Sequence, residues 1–120
     1  MSHGLFHETS AKATPRILKE CHRVLRKGCV TMHMDTQLAR GLYDYQAYYW
    51  DWDTHYNAEP FWGTLHHSDA RELLADAGFA RKTITEVWPR PQADGSVAYD
   101  PVRDAGGELV GTTIFGGQKL

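Results

Sequence analysis

The sequence predicts an α/β fold: a partial Rossmann-like, three-layer domain with a short mixed sheet of about four strands, helices packed on the sheet and an aromatic-rich helical insertion. Three observations lead to this prediction. The length of 120 residues is typical of a single domain. Two amphipathic helical patterns each end at a glycine and precede a β-compatible segment. Between them, residues 42–62 hold nine of the fourteen aromatic residues.

The first predicted unit, residues 1–41, is a strand, a helix and a second strand. Residues 5–7 are expected to end a strand that a loop follows. Thr14 is expected to cap a helix that has a proline at its first position, and Gly28 is expected to end it. Residues 29–35 are mostly apolar, so a strand follows the glycine. Because a helix joins the two strands, they are expected to pair in parallel.

The second unit, residues 42–67, is predicted to be a helical lid or insertion. Its aromatic residues are Tyr43, Tyr45, Tyr48, Tyr49, Trp50, Trp52, Tyr56, Phe61 and Trp62. Two interpretations are compatible with each other: the rings complete the core, or they cover a small-molecule site, since aromatic walls with a few carboxylates suit such pockets. The run containing Asp53, His55, Asn57 and Glu59 is polar, but its spacing alone does not indicate a metal site.

The third unit, residues 68–120, begins with a helix that Ser68 is expected to cap and Gly78 to end. A strand is expected over 83–88, and Pro89 and Pro91 are expected to end it. A polar, turn-rich stretch over 92–104 and a turn at 105–107 are expected to follow. A last strand over 109–115 and a short tail are expected to complete the unit.

Composition excludes several classes of function. Lys and Arg total 13 against 15 for Asp and Glu, so the chain has no basic excess for binding nucleic acid. No apolar run approaches the roughly 18 residues of a membrane span, and the N-terminus does not read as a secretory signal. We therefore expect a cytoplasmic protein. Cys21 and Cys29 are expected to be reduced thiols, and without a CxxC or HExxH motif no metal site is predicted.

Candidate binding residues follow from the expected sheet and lid. His33 and Asp35 end the second strand, and ligands bind at the carboxyl ends of parallel strands in such sheets. A neutral histidine beside a carboxylate can act as a general base, although a plain structural role fits the same residues. The predicted substrate pocket comprises His33, Asp35, Tyr45, Tyr48, Trp50, Trp52, Phe61 and Trp62. No catalytic residue is assigned from the sequence.

Several segments resemble one known family. Residues 2–10 are similar to the end of its fourth strand and the loop that follows, and residues 15–25 are similar to its next helix. Arg26-Lys27-Gly28-Cys29 stands where the family usually has Lys-Pro-Gly-Gly. The segments Asn57-Ala58-Glu59-Pro60-Phe61-Trp62 and Leu73-Leu74-Ala75-Asp76-Ala77-Gly78-Phe79 complete the match. Residues 2–79 thus resemble the C-terminal half of a class I S-adenosylmethionine-dependent methyltransferase of the ubiquinone/menaquinone-methyltransferase-like group.

The resemblance implies S-adenosylmethionine as cofactor, with His3, Phe6 and His7 in the loop that faces it. The family holds this cofactor with a glycine-rich loop after its first strand and an acidic residue at the end of its second. Both belong to the N-terminal half, whereas the resemblance here starts near the fourth strand. Gly106-Gly107 and Gly116-Gly117 do not lie between a strand and a helix, so they do not replace the glycine-rich loop. This chain alone is therefore not expected to bind the cofactor well.

The resemblance to this family also suggests a partner chain. In the complete fold the first strand flanks the fourth, so one sheet edge would be unpaired here, and such an edge favours pairing with another chain. A homodimer is expected, joined edge to edge or by the aromatic segment across a two-fold axis. Three functions follow: a truncated methyltransferase-like relic without catalysis, a small-molecule-binding module or enzyme under the aromatic lid, or a methyltransferase half whose partner chain supplies the cofactor domain.

Overall fold

The computed structural model describes residues 1–52, 56 and 59–120, so Asp53, His55 and Asn57 lie outside the described residues. The strands are β1 (Ser2–His3), β2 (Val30–Thr36), β3 (Thr85–Pro91), β4 (Val97–Pro101) and β5 (Thr112–Gln118). The helices are α1 (Ala13–Val24), α2 (Asp44–Trp50), α3 (Trp62–His66) and α4 (Ala70–Asp76), with 3₁₀ turns at Phe6–Glu8 and Arg81–Thr83. Among the described helices, none has the length and apolar character that a membrane crossing requires.

One open mixed sheet of five strands organises the chain, in the order β1-β2-β5-β3-β4. β1 and β2 pair in parallel, with Ser2 opposite His33, as the strand-helix-strand pattern predicts. β5 lies antiparallel between β2 and β3. The α/β class is confirmed, but the sheet has five strands where about four were predicted. Residues 5–7 also differ from prediction, because the strand ends at His3 and a 3₁₀ turn follows.

The unpredicted strand is β4, which forms a hairpin with β3. Gly95, with φ of 86°, allows the tight turn after Asp94, and the Gln92 amide donates to the Ser96 carbonyl at 2.8 Å. Pro89 lies inside β3, and Pro91 is the last residue of the strand, so of the two prolines only Pro91 ends it as predicted. They are tolerated because β5 pairs with β3 only over Thr85–Val87, so the later residues of β3 need no donor on that side.

The predicted helix caps are displaced by a few residues. α1 begins at Ala13, whose amide donates to the Ser10 hydroxyl at 3.2 Å, so Thr14 lies inside the helix and is buried. α4 begins at Ala70, and the cap is Asp69: its carboxylate accepts from the amides of Arg71 and Glu72. The Ser68 hydroxyl instead donates back to the Thr64 carbonyl at 2.6 Å. A carboxylate is the stronger acceptor, which explains why Asp69 takes the cap.

The hydrophobic core lies on one face of the sheet. It comprises Phe6, Leu18, Leu38, Leu65, Ala70, Leu74, Ala77, Phe79, Ile84 and Phe115. On the opposite face Met32, Met34 and Ile114 are only half-buried. In the described residues the helices therefore bury a single side of the sheet, whereas three layers were predicted.

Two glycines predicted to lie in the tail, Gly116 and Gly117, belong to β5 and lie near its C-terminal end. A Cβ atom at Gly116 would collide with the Thr31 carbonyl and the Met32 sulfur, and one at Gly117 would press on the Phe79 ring at 3.1 Å. Close packing therefore requires Gly116 and favours Gly117. The strand consequently runs to Gln118, three residues past its predicted end.

Candidate functional site

A buried carboxylate marks the carboxyl end of the parallel strands β1 and β2. Asp35 is near the end of β2, and its side chain has no exposed surface. Its Oδ2 accepts from the Phe6 amide at 2.8 Å. Its Oδ1 accepts from the Thr36 amide at 2.8 Å and from His7 Nδ1 at 2.7 Å. Three donors therefore hold both oxygens of this carboxylate in place.

His7 is the only titratable side chain among these donors. It belongs to the 3₁₀ turn after β1, and about one-fifth of its side chain (19%) is exposed. Its Nε2 lies 3.3 Å from Glu8 Oε1, and its ring packs against Trp62 with centroids 5.1 Å apart. The turn and β2 thus bring together His7 and Asp35, which are 28 residues apart in sequence.

His33 lies on the same face of β2 as Asp35, but both of its nitrogens are occupied. Nδ1 is hydrogen-bonded to the Ser2 hydroxyl at 2.7 Å and Nε2 to the Thr31 hydroxyl at 2.9 Å. Burial, together with the positive N-terminus, lowers the pKa of His33 to about 4 although Asp35 opposes the shift. The structure therefore places His33 as a neutral core residue, and His7 takes the position beside Asp35.

A second polar cluster lies on α3 and the end of α2. Asp51 accepts from His66 Nδ1 at 2.9 Å and from His67 Nε2 at 2.8 Å. Burial would raise the pKa of Asp51, but the hydrogen bonds and charges of His67 and His66 outweigh it and lower that pKa. Burial lowers the pKa of His66 to about 4 despite Asp51, so this ring is neutral. Its buried Nε2 has no hydrogen-bond partner among the described residues.

Trp62 joins the two clusters. Its ring centroid lies 5.1 Å from that of His7 and 5.2 Å from that of His66. Trp50 stacks on His66 with ring centroids 5.8 Å apart, and its indole N–H donates to the Gln37 carbonyl at 2.8 Å. Two of the predicted pocket tryptophans therefore lie beside the carboxyl end of β2.

The other predicted pocket residues are not brought to this point by any contact described. Tyr45 and Tyr48 are about 60% exposed (63% and 60%), and His3 is exposed. Trp52 is also exposed and contacts Tyr56, with centroids 5.0 Å apart. Phe61 is half-buried and directly precedes α3.

α2 has no buried residue, so most rings of the segment do not complete the core. They form an exposed aromatic surface, which consists of Tyr43, Tyr45, Tyr48, Tyr49 and Trp52.

Sequence reasoning missed Asp51, His66 and His67, together with Gln37, because their partners are set by tertiary packing. In the sequence, the one sign of this polar cluster was the adjacent pair His66-His67, which directly precedes Ser68.

A cleft of about 400 Å³ lies beside the second cluster. Its polar lining consists of Arg40, Asp44, His66, His67, Ser68 and Asp69. Arg40 Nη2 lies 3.4 Å from Glu86 Oε1 and 3.8 Å from Asp69 Oδ1. Burial raises the pKa of Glu86, although Arg40 opposes the shift. The cleft thus presents both signs of charge to a polar ligand.

The glycines that link strands to helices do not form a cradle for a nucleoside cofactor. A Cβ atom at Gly4 would meet His7 Cε1 at 3.3 Å, and one at Gly41 would collide with Asp104 and the Ala105 amide. Gly107 lies between β4 and β5 and is covered by the Tyr43 ring. A Cβ atom at each of these three glycines would meet other atoms of the chain, so these glycines present no open backbone surface of the kind that a glycine-rich cofactor loop provides.

Comparison with known proteins does not assign the chain to a family: no family model, curated protein or solved structure matches it.

Within residues 1–52, 56 and 59–120, no group of three or more His, Cys, Asp or Glu side chains could hold a metal ion. Cys21 is half-buried and Cys29 is exposed, and both are free thiols. The geometry of the two polar clusters is therefore the basis for a functional assignment.

Proposed function

We propose that this chain is a methyltransferase-like module that binds a small molecule at the carboxyl end of β1 and β2 and does not transfer methyl groups on its own. The observation that carries the proposal is the arrangement of His7, Asp35 and Trp62. It combines a fixed carboxylate, a partly exposed imidazole and an indole wall at the edge where open α/β sheets bind ligands.

The lack of independent methyl transfer rests on the glycine positions. The proposed module would contribute only the substrate side of a site, because its own strand-to-helix glycines are packed against His7 and Asp104. Such a site keeps the groups that orient a small polar molecule, and the cofactor would have to be held elsewhere. The alternative function, methyl transfer with the cofactor half on a partner chain, uses the same edge of the sheet.

Calorimetry and thermal unfolding test the proposal together. S-adenosylmethionine at millimolar concentration is expected to give no binding heat with the chain alone. Small aromatic compounds, which can stack on the Trp62 indole, are expected to raise the melting temperature, since a ligand at 100 times its Kd stabilises the native state by about 2.7 kcal/mol. The Trp62→Ala variant should lose this response, and Tyr99→Ala, at an exposed aromatic on β4, should keep it.

Two results would contradict the proposal. One-to-one binding of S-adenosylmethionine by the chain alone would favour methyl transfer instead. A ligand response that persists unchanged in Trp62→Ala would place the binding site away from the carboxyl end of β1 and β2.

We also propose that a second copy of the chain packs on the exposed aromatic surface. Tyr45, Tyr48 and Tyr49 are each at least 60% exposed, and monomeric proteins rarely expose a large contiguous apolar patch. Edge-to-edge pairing is less favoured because β1 pairs over only two residues.

Light scattering at micromolar concentration is expected to show a dimer. The double variant Tyr45→Ser/Tyr48→Ser is expected to be monomeric with unchanged secondary structure. A monodisperse wild-type monomer, or a double variant that remains dimeric, would contradict this mode of association. Tyr99→Ser is the matched control, since Tyr99 is equally exposed but lies on β4.

A further inference from the structure

We propose that the exposed side of α1 binds a short, acidic amphipathic helix of a partner protein. The binding surface is the basic face of α1, which comprises six cations on this helix and at its two ends: Lys12, Arg16, Lys19, Arg23, Arg26 and Lys27. It uses none of the residues of the proposed small-molecule site, so it would be a separate activity of the chain.

The charges of the chain are unevenly distributed. Residues 12–27 contain six Lys and Arg residues and one Glu, which gives them a net charge of +5. The whole chain carries −2, so all the other residues together carry −7. All six cations of the basic face are exposed. The protein is therefore positive around α1 and acidic elsewhere, which directs an acidic partner to this helix.

The basic face also differs from the other cations in its lack of paired carboxylates. Outside residues 12–27, four of the seven Lys and Arg side chains form ion pairs, namely Arg40, Arg81, Arg90 and Arg103. Of the basic face only Arg23 does so within the described part of the chain, with Glu20 Oε2 at 2.8 Å from its Nε. Five exposed cations are thus available to the carboxylates of a partner.

The beginning of α1 carries cations where a helix disfavours them. Lys12 is the N-cap residue and its side chain makes no capping hydrogen bond, and the first turn has no acidic residue. Arg16 is the fourth residue of the helix. The N-terminal end of a helix dipole is positive, so cations there oppose it. Departures from a local stability rule are typical of residues that serve binding, and a bound acidic helix would offset this repulsion.

An apolar row lies on α1 beside the cations. Ile17, Cys21 and Val24 follow one another at spacings of four and three residues, so they share one side of the helix. Ile17 and Cys21 are half-buried, and Val24 is 61% exposed. Together with Arg16 and Glu20 they line a shallow depression of about 370 Å³. Apolar side chains of an amphipathic helix suit this depression, and its acidic side chains then lie next to the cations.

A membrane and a nucleic acid fit this face less well. Helices that bind membrane surfaces insert Trp, Phe or Leu side chains, whereas the one such residue of α1, Leu18, is buried in the core. A long polyanion would also meet the acidic remainder of the chain. A partner helix as long as α1, about 18 Å, contacts the basic face alone. Because this contact is small and electrostatic, we expect binding that weakens strongly with salt.

Fluorescence anisotropy with a labelled synthetic peptide and the full chain tests the proposal. The probe is an Ala-rich helix of about 16 residues with a row of Leu residues flanked by Glu. Wild-type protein is expected to bind it, with Kd rising about tenfold between about 50 and 300 mM salt. A peptide of the same composition, whose scrambled order does not place the Leu residues on one side, is expected to bind several-fold more weakly.

Two double variants test the role of the charges. Arg16→Glu/Lys19→Glu is expected to raise Kd about tenfold or more, because attraction at two positions becomes repulsion. The matched control is Arg71→Glu/Lys82→Glu, which changes the net charge equally at two exposed cations outside the basic face. It is expected to change Kd by less than about threefold. Circular dichroism shows whether each variant keeps the wild-type helix content.

A pair of valine variants tests the apolar row. Val24→Ser is expected to raise Kd several-fold, because it removes the exposed apolar side chain beside the cations. Val97→Ser, at an exposed valine of β4, is expected to leave Kd unchanged.

Several results would overturn the proposal. The wild type could fail to bind the peptide, the scrambled peptide could bind equally well, or the two double variants could lose affinity equally. Tighter binding to a DNA duplex, or to vesicles of phosphatidylserine and phosphatidylcholine, would assign the basic face to a nucleic acid or a membrane instead. A wild-type dimer that Arg16→Glu/Lys19→Glu converts to a monomer would assign it to a second copy of the chain.

Discussion

Acidification from pH 7 to pH 4 is expected to lower the free energy of unfolding by several kcal/mol, because two buried histidines must take up protons when the chain unfolds. Burial lowers the pKa of His33 and of His66 to about 4, from 6.5 for an exposed histidine. A shift of that size corresponds to about 3 kcal/mol for each group. Both side chains are almost completely buried, so solvent does little to weaken the effect.

The sign follows from proton uptake. Between pH 6.5 and about 4 the unfolded chain binds these protons and the folded chain does not, so stability falls as the pH falls through this window. Above pH 6.5 both states are neutral at these positions, and the contribution is complete. Asp51, whose pKa is lowered in the folded protein, adds a loss only below its ordinary value of 3.8. Glu86 acts in the opposite direction, because burial raises its pKa.

Urea denaturation at a series of pH values measures this effect. His66→Asn is expected to flatten the decline between pH 7 and pH 4, even though removal of its hydrogen bond to Asp51 lowers stability overall. His3→Gln, at an exposed histidine on β1, is expected to leave the slope unchanged. A wild-type stability that does not change across this window would show that His33 and His66 are not held neutral by burial.

Gln37→Met is expected to destabilise the protein by about 1–3 kcal/mol, because it leaves three part-buried backbone groups without their side-chain partner. Gln37 follows the last residue of β2 and is completely buried. Its Nε2 donates to the Glu108 carbonyl at 2.9 Å, and its Oε1 accepts from the amides of Val110 and Gly111 at 2.7 and 3.0 Å. Methionine has a similar shape, so the loss reports hydrogen bonding more than packing.

The matched control is Gln92→Met on the exposed hairpin between β3 and β4. The side chain of Gln92 is exposed, and its Nε2 donates only to the Arg90 carbonyl, at 3.0 Å. The substitution should therefore lower the free energy of unfolding by less than about 0.5 kcal/mol. Equal effects of the two substitutions in urea denaturation would refute the structural role of Gln37. Since Gln37 also accepts from Trp50, the fluorescence of that tryptophan should report the loosened end of β2.

The sequence by itself determined the α/β class, the parallel pairing of β1 and β2 and the glycine that ends α4. These features depend on local patterns: apolar spacing, a strand-helix-strand order, and a residue that accepts the left-handed conformation. Gly78 has φ of 111°, and the Phe79 amide returns to the Leu74 carbonyl at 3.1 Å as a glycine cap requires. The hairpin of β4 was within reach too, because Asp94-Gly95 is a strong turn signal.

Only the tertiary structure decided the candidate site. His7 and His33 look alike as residues next to strand ends, and nothing in their spacing shows that hydroxyls occupy His33 while Asp35 turns to His7. In the same way, the aromatic segment gives no local sign that Trp50 and Trp62 pack on His66 while Tyr45 and Tyr48 face solvent. The physical reason is that each of these outcomes is set by a partner supplied from a distant element, and a local pattern carries no information about that partner.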